Sequence, residues 1–346
     1  MSTCLKHGIL GKAPLRLGLA GGGTDVPPYC DEFGGQVLNA TISLFARVSI
    51  RPKKSEGVTI ELVDIGEKLS YTTLPLPMDG PDVLLAGCYN YLRELATQNK
   101  DRPCIISSWL DVPPGSGLGS SSTLMVAAVG ALSKWFGIEF SKDEIADVAF
   151  YIERIFLKFA GGKQDQYAAT FGGFNFLEFG PGENVKVDRL NLSPSVINKL
   201  ESHMIIANLG TSRISSLIIE EQQKNIKQKN EIVFEAMDKL KQYAREMKRG
   251  LESGDIEIVG KLLDAGWRFK KKLARSISSR EIDLLVEWLL KKGASGVKIS
   301  GAGGGGFIII STKPENRFEV VRALKKWNIT PWPFSFVFKG VEVFGE

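Results

Sequence analysis

Glycine is the residue whose placement most restricts this chain. Much of it gathers in three short clusters: Gly21-Gly22-Gly23, the run from Gly115 to Gly119, and Gly301 through Gly306. Scattered glycine marks turns, whereas clusters set between regular elements mark backbone that approaches a ligand. The stretches between the clusters carry the regular structure. Val37 to Ile50, Val58 to Val63 and Leu69 to Thr73 are β-branched, alternating and bounded by Gly, Pro and Lys, which makes the first third β-rich. A helix is expected over about Val83 to Thr97 and a strand over Cys104 to Leu110. After the second cluster Leu124, Ala128, Leu132 and Trp135 recur at helical spacing. Ser141-x-x-Glu144 forms a capping box that opens a further helix to about Phe159.

The composition shifts after about residue 190. Charged helical sequence runs from Ser212 to Lys248, followed by amphipathic helices over Ile256 to Ala274 and Ser279 to Lys291. Strands over Val297 to Ser300 and Phe307 to Ser311 frame the last glycine cluster, and Ser335 to Phe344 reads as a closing strand. Helices and strands do not alternate as in a doubly wound sheet. The expected class is α+β, in two domains spanning 1–195 and 196–346, a number also natural to 346 residues.

Bulk properties exclude several classes. A hydrophobic fraction of 43% and a charged fraction of 24% belong to a globular protein with an ample core. The opening residues Met1 to His7 lack the apolar stretch of a signal peptide, and no segment approaches the roughly 20 apolar residues of a membrane span. A cytoplasmic protein without membrane contact is expected. Its four scattered cysteines are then free thiols, and two histidines, His7 and His203, argue against a zinc site. The net charge of +5 suits a small anionic substrate, whereas a nucleic-acid binder shows a stronger, clustered bias.

The segment Pro113-Pro114-Gly115-Ser116-Gly117-Leu118-Gly119-Ser120-Ser121-Ser122 is the most informative. Its glycines let several N–H groups point at one anion, and the helix that follows adds its positive end. Serine hydroxyls at that end can bind phosphate oxygens or join a magnesium shell; alternatively Ser120 only caps the helix. The segment is not a P-loop, because no lysine follows the glycines, and the H-R-D and D-F-G elements of protein kinases are absent. Gly301, Gly303 and Gly306 satisfy G-x-G-x-x-G, yet Phe307-Ile308-Ile309-Ile310 continues as a strand where a dinucleotide fingerprint needs a helix. Gly161-Gly162-Lys163-Gln164-Asp165 would end the preceding helix and present Asp165 on a tight turn. A carboxylate there could accept a hydroxyl proton, or serve only the turn. Glu153 adjoins the apolar stripe Ile145, Val148, Ile152, Phe156 and Phe159, at the edge of the buried side or on the surface beside Arg154.

Residues Pro113 to Ser122 resemble the second motif of the GHMP superfamily of small-molecule kinases, P-x-x-x-G-L-G-S-S-A, with serine as the final residue. Ala13 to Asp25 resembles the first motif and Lys298 to Gly306 the third, in the family's order across almost the whole chain. The resemblance implies a two-domain fold with a mixed α/β N-terminal domain, β-rich at its start, and a ferredoxin-like α+β C-terminal domain. It implies ATP as phosphoryl donor, cradled by Pro114, Gly115, Ser116, Gly117, Leu118, Gly119, Ser120, Ser121 and Ser122. Mg2+ would be held by Ser121 and Glu153, with Asp165 as the catalytic base and Arg16 near both that base and the transferred phosphoryl group. Gly22, Gly23, Thr24, Asp25, Gly303 and Gly304 would contact the acceptor.

Most sugar kinases of the superfamily carry G-E-H-T-D in the first motif, whereas this chain reads Gly21-Gly22-Gly23-Thr24-Asp25. That departure resembles the branch of heptose-7-phosphate and fucose kinases, which act on the anomeric hydroxyl. Asn208 to Arg213 also resembles that branch. The resemblance therefore implies phosphorylation of a sugar phosphate, D-glycero-D-manno-heptose 7-phosphate, to the 1,7-bisphosphate. The alternatives are a fucose or other free-sugar 1-kinase, and a non-catalytic sugar sensor of the same fold. A second phosphate needs a second cation; Arg213, after Thr211, is the candidate, because a guanidinium grips phosphate with two parallel bonds, although an Arg there can also meet only water. Trp267 and Lys270 are further candidates for that pocket, against which stands the reading of a core Trp and a solvated Lys on an amphipathic helix, with Lys270-Lys271-Lys272 as a solvated face. A homodimer is left open.

Overall fold

The computed structural model describes residues 8–180, 185–210 and 215–345. Thr211 and Arg213 lie outside the described residues. The chain begins with two long strands, β1 (Ile9–Ala20) and β2 (Gly35–Pro52). Then come β3 (Val58–Leu62), β4 (Glu67–Tyr71), β5 (Cys104–Leu110), β6 (Phe174–Phe179) and β7 (Val185–Leu190). The first sheet is completed from the far end of the chain by β12 (Glu342–Gly345), in the order β12-β1-β2-β5-β3-β4. β2 serves two neighbours: Ala46 to Pro52 pairs with β5, and Gly35 to Ala40 pairs with β6. The expected closing strand is accordingly shorter than Ser335 to Phe344. Before Glu342 the chain meets β2 at an isolated bridge, Phe336 opposite Ile42, through backbone hydrogen bonds of Ser335 with Ser43 and of Val337 with Thr41.

The second sheet is antiparallel, with strands β8 (Met204–Asn208), β9 (Ala294–Ile299), β10 (Phe307–Thr312) and β11 (Pro331–Trp332) in the order β11-β8-β10-β9. Helices fill the chain between β8 and β9, and Arg317–Lys325 connects β10 to β11. This is the ferredoxin-like arrangement, strand order 4-1-3-2. Its long helix Glu231–Ser253 has clear end signals. Asn230 accepts from the N–H groups of Ile232 and Val233, and Gly254 closes it in the left-handed region. Asn230 also divides the charged stretch, so Ser215–Lys227 is a separate helix.

Strand β1 lacks clean alternation because it is buried on both faces. Leu15, Leu17 and Leu19 enter a core shared with Phe174, Met204, Ile206, Ala244, Met247 and Phe307, so both sheets contribute to it. Burial of such a leucine stabilises by about 1.5–3 kcal/mol, which ties the two halves together where the glycine clusters meet. The β1–β2 register slips between Pro14 and Arg16. Such a bulge re-aims a side chain, and here the residue delivered is Arg16.

The helix expected from Ser141 to Phe159 differs in the way that matters most. The α-helix covers Lys142–Phe150, and Tyr151–Phe156 continues as a π-helical turn. The wider turn breaks the 3.6-residue phase. Ala146, Ala149, Ile152 and Glu153 face inward, while Phe156 and Phe159 are exposed. Among the described residues no helix is long and apolar enough to cross a membrane.

Candidate active site

The helix Ser120–Phe136 starts at Gly119, which is left-handed (φ 77°), and no side chain caps it. Ser120 is therefore the first helical residue and not its cap. Gly115, Gly117 and Gly119 alternate in the left-handed region along the loop, the geometry of a backbone anion nest. The first-turn N–H groups of the helix face the same side with their positive dipole end. Leu118 is core, Pro114 lies outside the cavity, and Ser116 is buried with its hydroxyl accepting from the Leu118 N–H (3.3 Å). Ser122 is buried too, accepting from Arg154 Nη2 (3.0 Å) and Gln166 Nε2 (3.1 Å). From this segment Gly115, Gly117, Gly119 and Ser120 to Ser122 line a cavity of about 230 Å3, shared with Arg16, Glu153 and Asp165. A larger groove of about 710 Å3, around Phe33, Glu178 and Arg245, contains none of these residues.

Arg16 is almost completely buried. Its Nε donates to Asp165 Oδ1 (2.7 Å), and Nη1 donates to the Gly117 carbonyl (2.7 Å) and Ser300 Oγ (3.4 Å). One guanidinium thus touches all of the second motif, the third motif and the turn after Gly162. Asp165 lies in the first turn of helix Gln164–Phe171, under Gly119; a Cβ at Gly119 would stand 3.1 Å from the Asp165 carboxyl carbon.

Glu153 is fully buried, not a surface residue. Its Oε1 accepts from Ser121 Oγ (2.5 Å) and Oε2 from Gln166 Nε2 (2.7 Å), with Arg154 Nη1 at 3.3 Å balancing its charge. Ser121 and Glu153 present two hard oxygens at the cavity wall, a donor set that fits magnesium, which takes few protein ligands and completes its shell with phosphate and water. Groups of three or more metal-binding side chains are absent among the described residues.

The residues expected to contact the acceptor, in the first and third clusters, also hold the backbone of the site together. Thr24 Oγ1 donates to the Gly21 carbonyl (2.8 Å) and accepts from the Gln36 N–H (3.0 Å), so its hydroxyl is engaged within the turn. Asp25 is buried; Oδ1 accepts from Gly23 N–H (3.0 Å) and Gln164 Nε2 (3.1 Å), Oδ2 from Gln164 N–H (3.2 Å). Its carboxylate holds the turn that presents Asp165. Gly23 gives its carbonyl to Gln222 Nε2 (2.8 Å), while Gly22 faces Lys270. Gly303 and Gly304 are buried against Ile277, whose carbonyl takes the Gly304 N–H (2.8 Å). The neighbouring Gly301 (φ 70°) permits close approach to the phosphate loop: a Cβ there would lie 2.7 Å from Gly117 Cα.

Lys270 corrects the expectation of a solvated lysine. Val259, Leu263, Trp267 and Lys270 form one buried stripe at helical spacing, which was the available signal. Its Nζ donates to the Gly301 carbonyl (2.5 Å), and burial pulls its pKa down to about 8. Lys271 instead pairs with Asp283 (2.8 Å). Lys298 is also buried; it donates to the Gly18 carbonyl (2.7 Å), and burial, with Lys270 and Arg16 nearby, drives its pKa well down.

An uncapped helix end, a glycine nest, a hydroxyl–carboxylate pair and a guanidinium-held aspartate together make a site equipped for phosphoryl transfer to a hydroxyl. The models of known families agree. The GHMP kinases N terminal domain matches residues 84–173, and the GHMP kinases C terminal domain matches residues 247–330. The chain is 36% identical over 332 residues to the D-glycero-alpha-D-manno-heptose 7-phosphate kinase of Campylobacter jejuni, covering 96% of this chain and 97% of that one. It is 27% identical over 321 residues to the bifunctional fucokinase/GDP-fucose pyrophosphorylase of Arabidopsis thaliana, covering 89% of this chain and 30% of that one. A crystal structure described as a D-glycero-D-manno-heptose 1-phosphate kinase from Bacteroides thetaiotaomicron superposes with a TM-score of 0.82 at 36% identity, covering 98% and 99% of the two chains. The chain belongs to the GHMP kinase family.

Proposed function

We propose that this kinase transfers the γ-phosphoryl group of ATP to the anomeric hydroxyl of a sugar phosphate, D-glycero-D-manno-heptose 7-phosphate, giving the 1,7-bisphosphate. The observation that carries the reading is the Arg16–Asp165 pair (2.7 Å) under Gly119, at the rim of the phosphate loop. Gly115, Gly117, Gly119 and the first turn from Ser120 would hold the ATP phosphates through backbone N–H groups. Ser121 and Glu153 would hold Mg2+, which when bound neutralises charge on the phosphates. Asp165 would orient the acceptor hydroxyl and take its proton. Arg16 would keep Asp165 aimed and stabilise charge developing on the transferred group. Thr211 and Arg213 remain the proposed grip on the distal phosphate.

The substrate assignment is supported by the first-motif sequence Gly21-Gly22-Gly23-Thr24-Asp25 and by the Campylobacter jejuni relative, matched along nearly its whole length. The Arabidopsis thaliana relative favours a second reading, a fucose 1-kinase. We also place the domain boundary near residue 195, supported by the gap between the two matched segments, with β12 returning to the first sheet.

An ADP-release assay against a panel of both sugars, their relatives and mevalonate tests this. Preference for an unphosphorylated sugar would sink the heptose phosphate assignment, and turnover of mevalonate alone would sink the sugar assignment. Asp165→Asn is expected to lower turnover by about 100-fold or more with ATP binding kept; undiminished turnover would remove Asp165 from the mechanism.

A further inference from the structure

The chemistry proposed above leaves the ammonium group of Lys270 without a role. It stands at the end of helix Glu257–Lys270, 6% exposed, on the same buried stripe as Trp267. An ammonium carries three donors. One reaches the Gly301 carbonyl at 2.5 Å, and no carboxylate among the described residues forms an ion pair with Lys270. A buried cation with one neutral acceptor is costly, and cores discard such groups unless something else meets the charge.

The surroundings show where that partner would sit. A Cβ built on Gly22 would stand 3.6 Å from Lys270 Nζ and 3.7 Å from Gln164 Nε2. Both are ordinary contact distances, so glycine at this position leaves both donors uncovered on its face, next to the residue before Asp165. The charged groups that act on Lys270 are Asp25 from the first cluster, Arg16 from β1 and Asp165 from helix Gln164–Phe171, and Lys298 from β9 feels its charge in turn; the Gly301 loop brings only a carbonyl. Asp25 already accepts three hydrogen bonds, Arg16 is committed to Asp165, and Lys298 to the Gly18 carbonyl. Among the described residues Lys270 makes one hydrogen bond and keeps donors to spare.

We propose that Lys270 is an acceptor-binding residue, donating from Nζ to an oxygen of the acceptor sugar at its reacting end, over the face of Gly22. This deepens the sugar-kinase reading and rests on it for the class of acceptor. The C-terminal half thereby supplies a cation to the acceptor, complementing the phosphate loop, which belongs to the N-terminal half. The linkage sign follows from the lowered pKa of about 8 in the free protein. Burial is the largest cause, Arg16 acts in the same direction, and Asp25 and Asp165 oppose it. The protonated form binds, so acceptor affinity is full below about pH 8 and falls as pH rises through that value.

The test measures KM for acceptor and for ATP from neutral pH to well above pH 8, in wild-type protein and in Lys270→Met. Loss of one charge-assisted hydrogen bond predicts an acceptor KM raised about 10- to 100-fold at neutral pH with the ATP KM unchanged. The wild-type acceptor KM climbs above about pH 8, and the variant's does not. Ethylammonium added to Lys270→Ala restores part of the acceptor affinity, which no purely structural role would allow. An unchanged acceptor KM, an equal rise in both KM values, or a flat wild-type pH profile overturns the proposal; the last needs no variant to fold. The acceptor is whichever sugar of the panel wild-type protein turns over fastest. A wrong substrate therefore shows in the panel, and a wrong role for Lys270 shows in the comparison.

Discussion

Replacing Arg16 by methionine keeps most of the aliphatic volume and removes three donated hydrogen bonds: to Asp165 Oδ1 (2.7 Å), the Gly117 carbonyl (2.7 Å) and Ser300 Oγ (3.4 Å). The side chains of the ion pair are 4% and 18% exposed. Breaking a buried pair from one side costs about 3–5 kcal/mol, because the other charge is left behind. Water can reach Asp165 in part, which favours the lower end of that range, about 3 kcal/mol. Asp165→Asn keeps an oxygen for Arg16 Nε but leaves the more buried charge of the pair unbalanced, so it should also cost about 3 kcal/mol. In the double variant no lone charge remains, so its loss should fall short of the sum by about 1–3 kcal/mol. Urea unfolding followed by circular dichroism measures this cycle; at an m value of about 3 kcal/mol/M, Arg16→Met lowers the midpoint by about 1 M. Additivity of the two single variants within about 0.5 kcal/mol would refute the coupling on which the site's architecture rests.

Two further outcomes follow from neighbouring contacts. Glu153→Gln keeps an acceptor for the Ser121 hydroxyl but loses the charge a divalent ion needs, so half-saturating Mg2+ in the ADP-release assay should rise about 10-fold or more; an unchanged Mg2+ requirement would take Glu153 out of the metal site. Gly301→Ala forces a Cβ to 2.7 Å from Gly117 Cα at φ 70°, which should destabilise by about 1–3 kcal/mol and raise the KM for ATP; a variant with wild-type stability and ATP KM would show that the two glycine clusters do not depend on each other.

Legibility in the sequence tracked the range of the interactions. The phosphate loop and its helix were readable because glycine freedom and serine placement act within ten residues, Gly115 to Ser122. The three-motif resemblance supplied the meeting of Arg16 with Asp165, residues 149 apart that no local pattern connects. α-Helical spacing puts Glu153 at the edge of an apolar stripe, whereas the π-helical turn that contains it brings it into the core. Residue type argues for a solvated Lys270, although its spacing from Trp267 and Leu263 puts it on the buried face. The motif shows Thr24 and Asp25 as polar groups beside glycine, but not that their side chains close Gly21 to Gln36 and Asp25 to Gln164, contacts set in three dimensions.

The proposed reaction adds a phosphoryl group to an already phosphorylated sugar at its anomeric oxygen. Phosphorus NMR of a reaction containing the protein, ATP, Mg2+ and D-glycero-D-manno-heptose 7-phosphate observes that product itself. The predicted result is ADP together with a second sugar phosphorus signal coupled to the anomeric proton. ATP consumed without an anomeric phosphate, or an anomeric phosphate formed faster on fucose than on the heptose phosphate, would contradict that reaction.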